Sequence, residues 1–335
     1  MTTEKRSQLG AWLQLLRIPN LLTVPADPIV GFFSWGCYSS IEKGFVDTGG
    51  ILVVVPCVVA AVLLYCAGLI LNDLFDLKED RRDRPNRPLP SGQISTTTAT
   101  ITAIILLIGG VAAAAFNGAL CAGIAAALAV AVVSYNAGVK RIPIAGALNM
   151  GLCRGLSIFL GLAISSSLNL GQDSAGGLLA WEKLSMLLSW PFYPITPMIL
   201  YIASVTLIAA RETKTSRMRI RPWLPGAITA VWMSCVMYPW PQWDNVLSCL
   251  SFIVIAGLPV AVALVCGWRL TGKSEPRIVQ TVVGELVGNL LLIQAAVVYF
   301  NSYSTGAHNE GIPLAIALGL AYLAFIPLSR RFYAS

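Results

Sequence analysis

The sequence predicts an all-α, polytopic membrane protein with nine to ten transmembrane helices around a central cavity. Three observations carry this. Of 335 residues, 56% are hydrophobic and only 12% charged, whereas a soluble domain carries about a quarter charged. Apolar runs of the roughly 20 residues needed to cross a bilayer recur along the whole chain. The basic residues fall almost entirely on one side of the spans that those runs define. The formal net charge of +7 would also suit a nucleic-acid binder, but its concentration in short loops is explained by membrane orientation, and no nucleic acid partner is expected.

The N-terminal "MTTEKRSQLGAWLQLLRIPN" lacks the apolar core and cleavage site of a signal peptide. Its amphipathic part near Trp12 is expected at the membrane interface. Spans are then expected at about 20–38, 51–71, 96–116, 118–135, 143–168, 191–210, 223–240, 246–268, 278–300 and 312–329. The first is broken at its start by Pro19, Pro25 and Pro28. The fourth is rich in Ala and Gly, which suits close helix packing.

With the N-terminus in the cytoplasm, the inside segments hold 20 of the 23 Lys and Arg residues. Lys43 and Lys183 fall outside, and Arg154 lies within a span. This asymmetry gives ten spans with both termini and the charged loops cytoplasmic, or nine if the last segment lies on the surface. A bacterial inner membrane is the expected location. No Pro- or Ser-rich linker interrupts the chain, so residues 1–335 read as one domain in contact with membrane lipids. The second and sixth spans each end in a charged loop, "RPNRPLPSG" and "RIRPWLPG", which hints at two halves of similar layout. The eight Cys form no CxxC pair, and the one His, His308, stands far from them, so they read as packing residues rather than a metal or disulfide framework.

The charged loop after the second span, "NDLFDLKEDRRDRPNRPLPSG", concentrates the chemistry. Asp73, Asp76 and Asp80 are spaced i, i+3, i+7, within roughly a 60° arc of one helix. Like charges 4 Å apart repel by about 4 kcal/mol at an effective dielectric near 20. A hard divalent cation removes that cost. Carboxylates with the Asn72 carbonyl suit Mg²⁺, which keeps waters and shares its shell with phosphates. Arg81, Arg82, Arg84 and Arg87 follow and could hold a diphosphate directly. The plain alternative is a solvated loop that caps the helix and fixes its orientation.

"NDLFDLKED" with "RPNRPLPSG" resembles the first aspartate-rich motif and following loop of the UbiA superfamily of intramembrane prenyltransferases. "YNAGVKRIPIAGALNMGLCRGLSIFLG", from Tyr135, is similar to a second block of that family. "LRIPNLLTVPADPIVGF" is similar to its first helix. The resemblance covers residues 12–165 well and the C-terminal half mainly by helix layout. It implies transfer of a polyprenyl group from its diphosphate to an aromatic or other lipophilic acceptor, Mg²⁺-dependent, in making a lipid quinone, a prenylated aromatic or a related lipid. It implies that Asn72, Asp73, Asp76 and Asp80 hold Mg²⁺, with Asp73 and Asp76 catalytic. Arg87, Lys140 and Arg141 would contact the diphosphate, with Lys140 also catalytic. Tyr135 would face the allylic cation. Asn20, Asn149 and Arg154 would bind substrate.

The family's second acidic motif, DxxxD after the sixth span, is reduced here to "RETKTS", leaving Glu212 as the one acid and Ser216 in the other position. Glu212 remains a candidate metal ligand and Arg211 a candidate substrate contact. Basic residues could neutralise the diphosphate in place of one Mg²⁺. Alternatively the chain is a non-catalytic prenyl-lipid or diphosphate binding or transport protein on the same fold. Within the ninth span, Glu285 and Asn289 are read either as polar glue at a GxxxG crossing or as residues that bind the acceptor or serve as a base. Asp27, between Ala26 and Pro28, is expected to satisfy backbone groups freed by the helix break.

Overall fold

The structure is a computed structural model that describes residues 8–43, 51–170, 192–211, 216–218, 220–237, 246–305 and 308–333. Two short helices, α1 (Gln8–Leu15) and α2 (Ile18–Leu21), lead into α3 (Ala26–Lys43). Then follow α4 (Val55–Phe75), α5 (Leu77–Asp83), α6 (Thr96–Ala115), α7 (Ala119–Ala137) and α8 (Pro143–Leu170). The second half holds α9 (Phe192–Ala209), α10 (Leu224–Met237), α11 (Val246–Arg269), α12 (Pro276–Thr305) and α13 (His308–Tyr333). Two three-residue strands, β1 (Ser216–Met218) and β2 (Gly272–Ser274), pair antiparallel and join the segment after α9 to the α11–α12 connection.

Local chemistry sets several boundaries. Ser95 caps α6 by accepting the Thr98 N–H at 3.0 Å. Pro143 and Pro276 open α8 and α12, where no intrahelical N–H is needed. The first long helix starts at Ala26 rather than near residue 20. Arg17 takes a left-handed backbone (φ 46°) between α1 and α2, and a turn bonded from Thr23 N–H to the Asn20 carbonyl precedes Pro25.

Each of the ten expected spans coincides with a helix, and seven combine sufficient length and hydropathy among the described residues. These are 51–75, α6, α7 and α8 in the first half, and α11, α12 and α13 in the second. The final segment is thus long and apolar enough to cross. Helix α10 has 14 residues, about 21 Å, short of a hydrocarbon core of about 30 Å. The chain is a multi-pass integral membrane protein.

Burial separates an inner helix from outer ones. In α12, 78% of the apolar window is buried, against 22% in α6 and 17% in α13. The exposed Ile101, Ile104, Ile105 and Ile108 lie at i, i+3, i+4, i+7 on α6 and give it a lipid-facing stripe. The main core joins residues of α3, α4, α6, α7, α8, α9, α10, α11, α12 and α13, with Trp232, Tyr201 and Phe300 fully enclosed.

Helices α3 and α8 touch backbone to backbone. A Cβ on Gly161 would lie 1.7 Å from the Pro28 carbonyl oxygen, and one on Gly31 1.9 Å from that of Ile158. This closeness brings Asp27 of α3 to Arg154 of α8, Oδ2 to Nε 3.0 Å, both buried. The Thr23 carbonyl, left free by the break before α3, accepts Arg154 Nη2 and Gln294 Nε2, each at 3.0 Å. Gln294 also donates to Asp27 Oδ1 at 2.7 Å. The expected role of Asp27 is therefore corrected. Arg154 and Gln294 satisfy the freed backbone, and Asp27 balances the charge of Arg154 and orients Gln294.

Candidate active site

The acidic motif lies where α4 gives way to α5. Asp76 is the joint, with φ −90° and ψ 1°, so the three aspartates do not share one straight helix as their spacing suggests. The N–H of Asp76 still bonds the Asn72 carbonyl (3.0 Å) and that of Asp80 bonds the Asp76 carbonyl (2.8 Å), so the joint is a bend rather than a break. Asp73 and Asp80 are buried, and Asn72 and Asp76 half-buried.

A second, smaller core fixes this end. Ala11 and Leu15 of α1, Ile70 of α4, Leu89 and Ile94 of the following loop, and Ala99 and Ala103 of α6 pack together. Burial of Leu89 holds the Pro-rich loop against the helix end and so places Arg87. Its guanidinium donates to Asp80 Oδ2 at 2.7 Å and lies 3.7 Å from Asp73 Oδ1. Packing of α1 brings in Arg17, whose Nη2 donates to the same Asp73 oxygen at 3.5 Å. Asn72 Nδ2 donates to it at 3.4 Å. Asp83 takes no part. Its exposed carboxylate is held by Arg82 Nε at 2.6 Å, which pulls it below the usual carboxylate range.

Lys140 arrives from the turn between α7 and α8. That turn folds back on the first turn of α8, where a Cβ at Gly146 would lie 2.9 Å from the Lys140 Cα. The ammonium donates to Asp76 Oδ1 at 2.5 Å and to Asn72 Oδ1 at 3.2 Å. Asn136 ties the end of α7 to α4, donating to the Gly68 carbonyl at 3.3 Å. Neighbouring Tyr135 is half-buried.

The other expected residues divide. Asn20 hydrogen-bonds the Tyr65 hydroxyl, on which Arg17 and Arg154 also act. Asn149 donates to Ser134 Oγ at 3.2 Å and accepts from Cys153. Arg154, expected to bind substrate, is committed to Asp27 and Thr23, because a guanidinium inside a span needs a full set of partners. Arg141 and Arg211 are exposed and pair with none of the motif's acids among the described residues. Glu212 lies outside the described residues. Glu285 is half-exposed and accepts from Arg269 and from Cys266 Sγ, while Asn289 donates to the Pro259 carbonyl at 3.0 Å. Sequence reasoning counted Arg17 only as an orienting charge. The signal for it was present in "LRIPN", since Arg17 precedes the Pro19 break that turns α1 back onto α4.

Among the described residues no three acidic, His or Cys side chains stand close enough together to cage a metal. The oxygens nevertheless converge on cations in pairs, Asn72 with Asp76 on one and Asp73 with Asp80 on another. A hard cation that uses one or two carboxylates and completes its shell with water and phosphate fits such a donor set.

The UbiA prenyltransferase family model matches residues 29–283. The digeranylgeranylglyceryl phosphate synthase of Methanoculleus marisnigri is 30% identical over 152 residues, 45% of this chain and 50% of that protein. The chain thus spans about half the length of the curated relatives it matches. A solved structure described as giving structural and mechanistic insights into the biosynthesis of digeranylgeranylglyceryl phosphate synthase in membranes aligns with a TM-score of 0.55 at 17% identity, covering 89% of this chain and 99% of that one. A UbiA homologue from Archaeoglobus fulgidus bound to GPP and Mg²⁺ aligns with a TM-score of 0.54 at 15% identity, covering 88% and 99%. These likenesses establish a shared fold, and the family match over most of the chain settles membership: this protein belongs to the UbiA prenyltransferase family.

Proposed function

We propose that this chain, acting as one unit over residues 1–335, is a Mg²⁺-dependent prenyltransferase that moves a polyprenyl group from its diphosphate to a lipophilic acceptor at the α4–α5 end. The observation that carries the reading is the convergence of Asn72, Asp73, Asp76 and Asp80 with Arg17, Arg87 and Lys140 at one end of the helices. That set offers oxygens to a divalent cation and nitrogens to a diphosphate. The same basic loops favour a cytoplasmic placement of this end.

Asn72, Asp73, Asp76 and Asp80 would hold Mg²⁺, which supplies positive charge to the diphosphate oxygens as the allylic C–O bond breaks. Arg87 and Lys140 neutralise charge gathering on the leaving group. Arg17 keeps Asp73 in place and adds a further cation at the mouth. Tyr135, at the end of α7 that carries Asn136 and leads to Lys140, would offer its ring to the departing allylic cation. The acceptor then bonds to that carbon and loses a proton, giving prenylated product, diphosphate and H⁺.

The acceptor class is open between an aromatic ring and a hydroxyl-bearing glyceryl phosphate lipid. The relatives' name, for a glyceryl phosphate lipid with two geranylgeranyl groups, favours the second and lends no support to a quinone. The test is prenyl transfer in isolated membranes, with prenyl diphosphates of several lengths against both acceptor classes, read by mass spectrometry. Product that disappears with EDTA is the expected result. The reduction of the second acidic motif to "RETKTS" favours a second reading, a non-catalytic prenyl-lipid or diphosphate binding protein. Release of diphosphate from any donor excludes it.

A further inference from the structure

Every aspartate of the motif is paired with a base. Lys140 holds Asp76 (2.5 Å), Arg87 holds Asp80 (2.7 Å), and Arg17 and Arg87 lie 3.5 and 3.7 Å from Asp73. Three carboxylates face three cations, so the cluster is balanced without any ligand. Lys140 differs from the arginines in bonding both of its oxygens, Asp76 Oδ1 at 2.5 Å and Asn72 Oδ1 at 3.2 Å, whereas Arg87 bonds Asp80 and stands 3.7 Å from Asp73. That is the place a small hard cation takes between such donors, and the two cannot share it.

We propose that Lys140 is the resident counter-ion of the acidic motif, and that divalent metal gains its place only when a diphosphate arrives to take over the ammonium. This deepens the prenyl diphosphate reading given above and rests on it. Metal alone must expel Lys140 into a neighbourhood already containing Arg17 and Arg87, with no further acid paired to it among the described residues. Metal with a diphosphate gives the ammonium a new partner. The two ligands therefore bind with positive coupling, and by linkage each tightens the other equally. The pair is partly exposed, with side chains 14% and 28% accessible, and pairs in contact with water are weak enough to exchange.

The test is Mn²⁺ binding to the detergent-solubilised full chain, followed by the electron paramagnetic resonance signal of free Mn²⁺, with and without inorganic diphosphate. In the parent, diphosphate should tighten Mn²⁺ binding at least tenfold. Lys140→Met should bind Mn²⁺ alone at least tenfold more tightly than the parent, and diphosphate should then add little. Lys140→Arg, which keeps a cation, should resemble the parent. Lys140→Gln serves the same purpose if the Met variant fails to give a monodisperse peak. Mn²⁺ affinity in both neutral variants equal to or below the parent's, with diphosphate coupling intact, overturns the counter-ion role and leaves the prenyltransferase reading standing. Absence of Mn²⁺ binding in every protein, with or without diphosphate, sinks both.

Discussion

The ends of α4 and α9 start alike and finish in opposite ways. Each is an apolar helix running into a charged segment with an Arg-Pro step, Arg87–Pro88 after the first and Arg221–Pro222 after the second. After α4 the chain bends at Asp76, keeps helical hydrogen bonding, and gathers bases from α1, the Pro-rich loop and the α7–α8 turn. After α9 it enters β1, which pairs antiparallel with β2 from the α11–α12 connection. The difference teaches that the same kind of helix end is built into a cluster of carboxylates and bases where distant helices supply the partners, and into a short strand pairing where they do not.

The largest expected effect tests that division. Asp73→Ala with Asp76→Ala should lower transfer about a thousandfold or more, since it removes oxygens that hold charge at the leaving group. The effect is read as product formed in membranes at matched protein levels. Full activity in the aspartate pair would break the comparison.

How far each end was legible follows from how local its contacts are. The acidic motif could be read because its four residues lie within one short stretch, and a helix keeps such residues near one another. Its bend at Asp76 could not, since nothing in "LFDLK" breaks a helix. The partners come from afar. Arg17 is 56 residues from Asp73, and Lys140 is 64 from Asp76. Lys140 was anticipated through family likeness, whereas Arg17 was not, because its place depends on α1 folding back onto Ile70 and Leu89. The Asp27–Arg154–Gln294 staple was least legible, with Gln294 bonding a carbonyl 271 residues away. The strand pairing after α9 left no sequence trace, as "SRM" and "GKS" carry no alternating pattern of useful length.

A second prediction separates cations that build the fold from cations that serve the site. Arg154 and Asp27 are an enclosed pair, and removing one partner of such a pair costs about 3–5 kcal/mol. Arg154→Met should therefore lower thermal stability clearly and reduce activity only in proportion to folded protein. Arg87 has a side chain 24% accessible, and an ion pair in partial contact with solvent is worth about 1 kcal/mol or less. Arg87→Met should leave the melting temperature nearly unchanged yet raise the KM for prenyl diphosphate at least tenfold. The reverse pattern would move Arg154 into the site and Arg87 into the scaffold.

A smaller effect is expected at Gly146. An alanine there meets the Lys140 Cα at 2.9 Å and the Val139 and Lys140 carbonyl oxygens at 3.1 Å. Backbone rather than flexible side chain must give way, at about 1–3 kcal/mol. The turn should open slightly and weaken the Lys140 contact with Asp76. A severalfold rise in KM with little change in kcat is the expected readout. An unchanged KM would mean that the turn can shift without moving the ammonium.

The smallest effect is expected at Glu285, and it bears hardest on the comparison. If the α9 end held a second metal without its family motif, this acid of the inner helix would be a natural ligand. Its Oε2 is instead engaged by Arg269, with side chains 40% and 35% accessible, and by Cys266 Sγ at 3.4 Å. A half-exposed pair of that kind contributes about 0–1 kcal/mol, and nothing brings a further acid to it among the described residues. Glu285→Gln keeps the shape and can still accept from Arg269, so transfer should stay within about twofold of the parent. Mn²⁺ bound per chain, measured with diphosphate present, should not change. A drop of one ion per chain would place a second metal beside Arg269 and make the two ends alike after all. An unchanged count with unchanged transfer leaves α4–α5 as the metal-binding end.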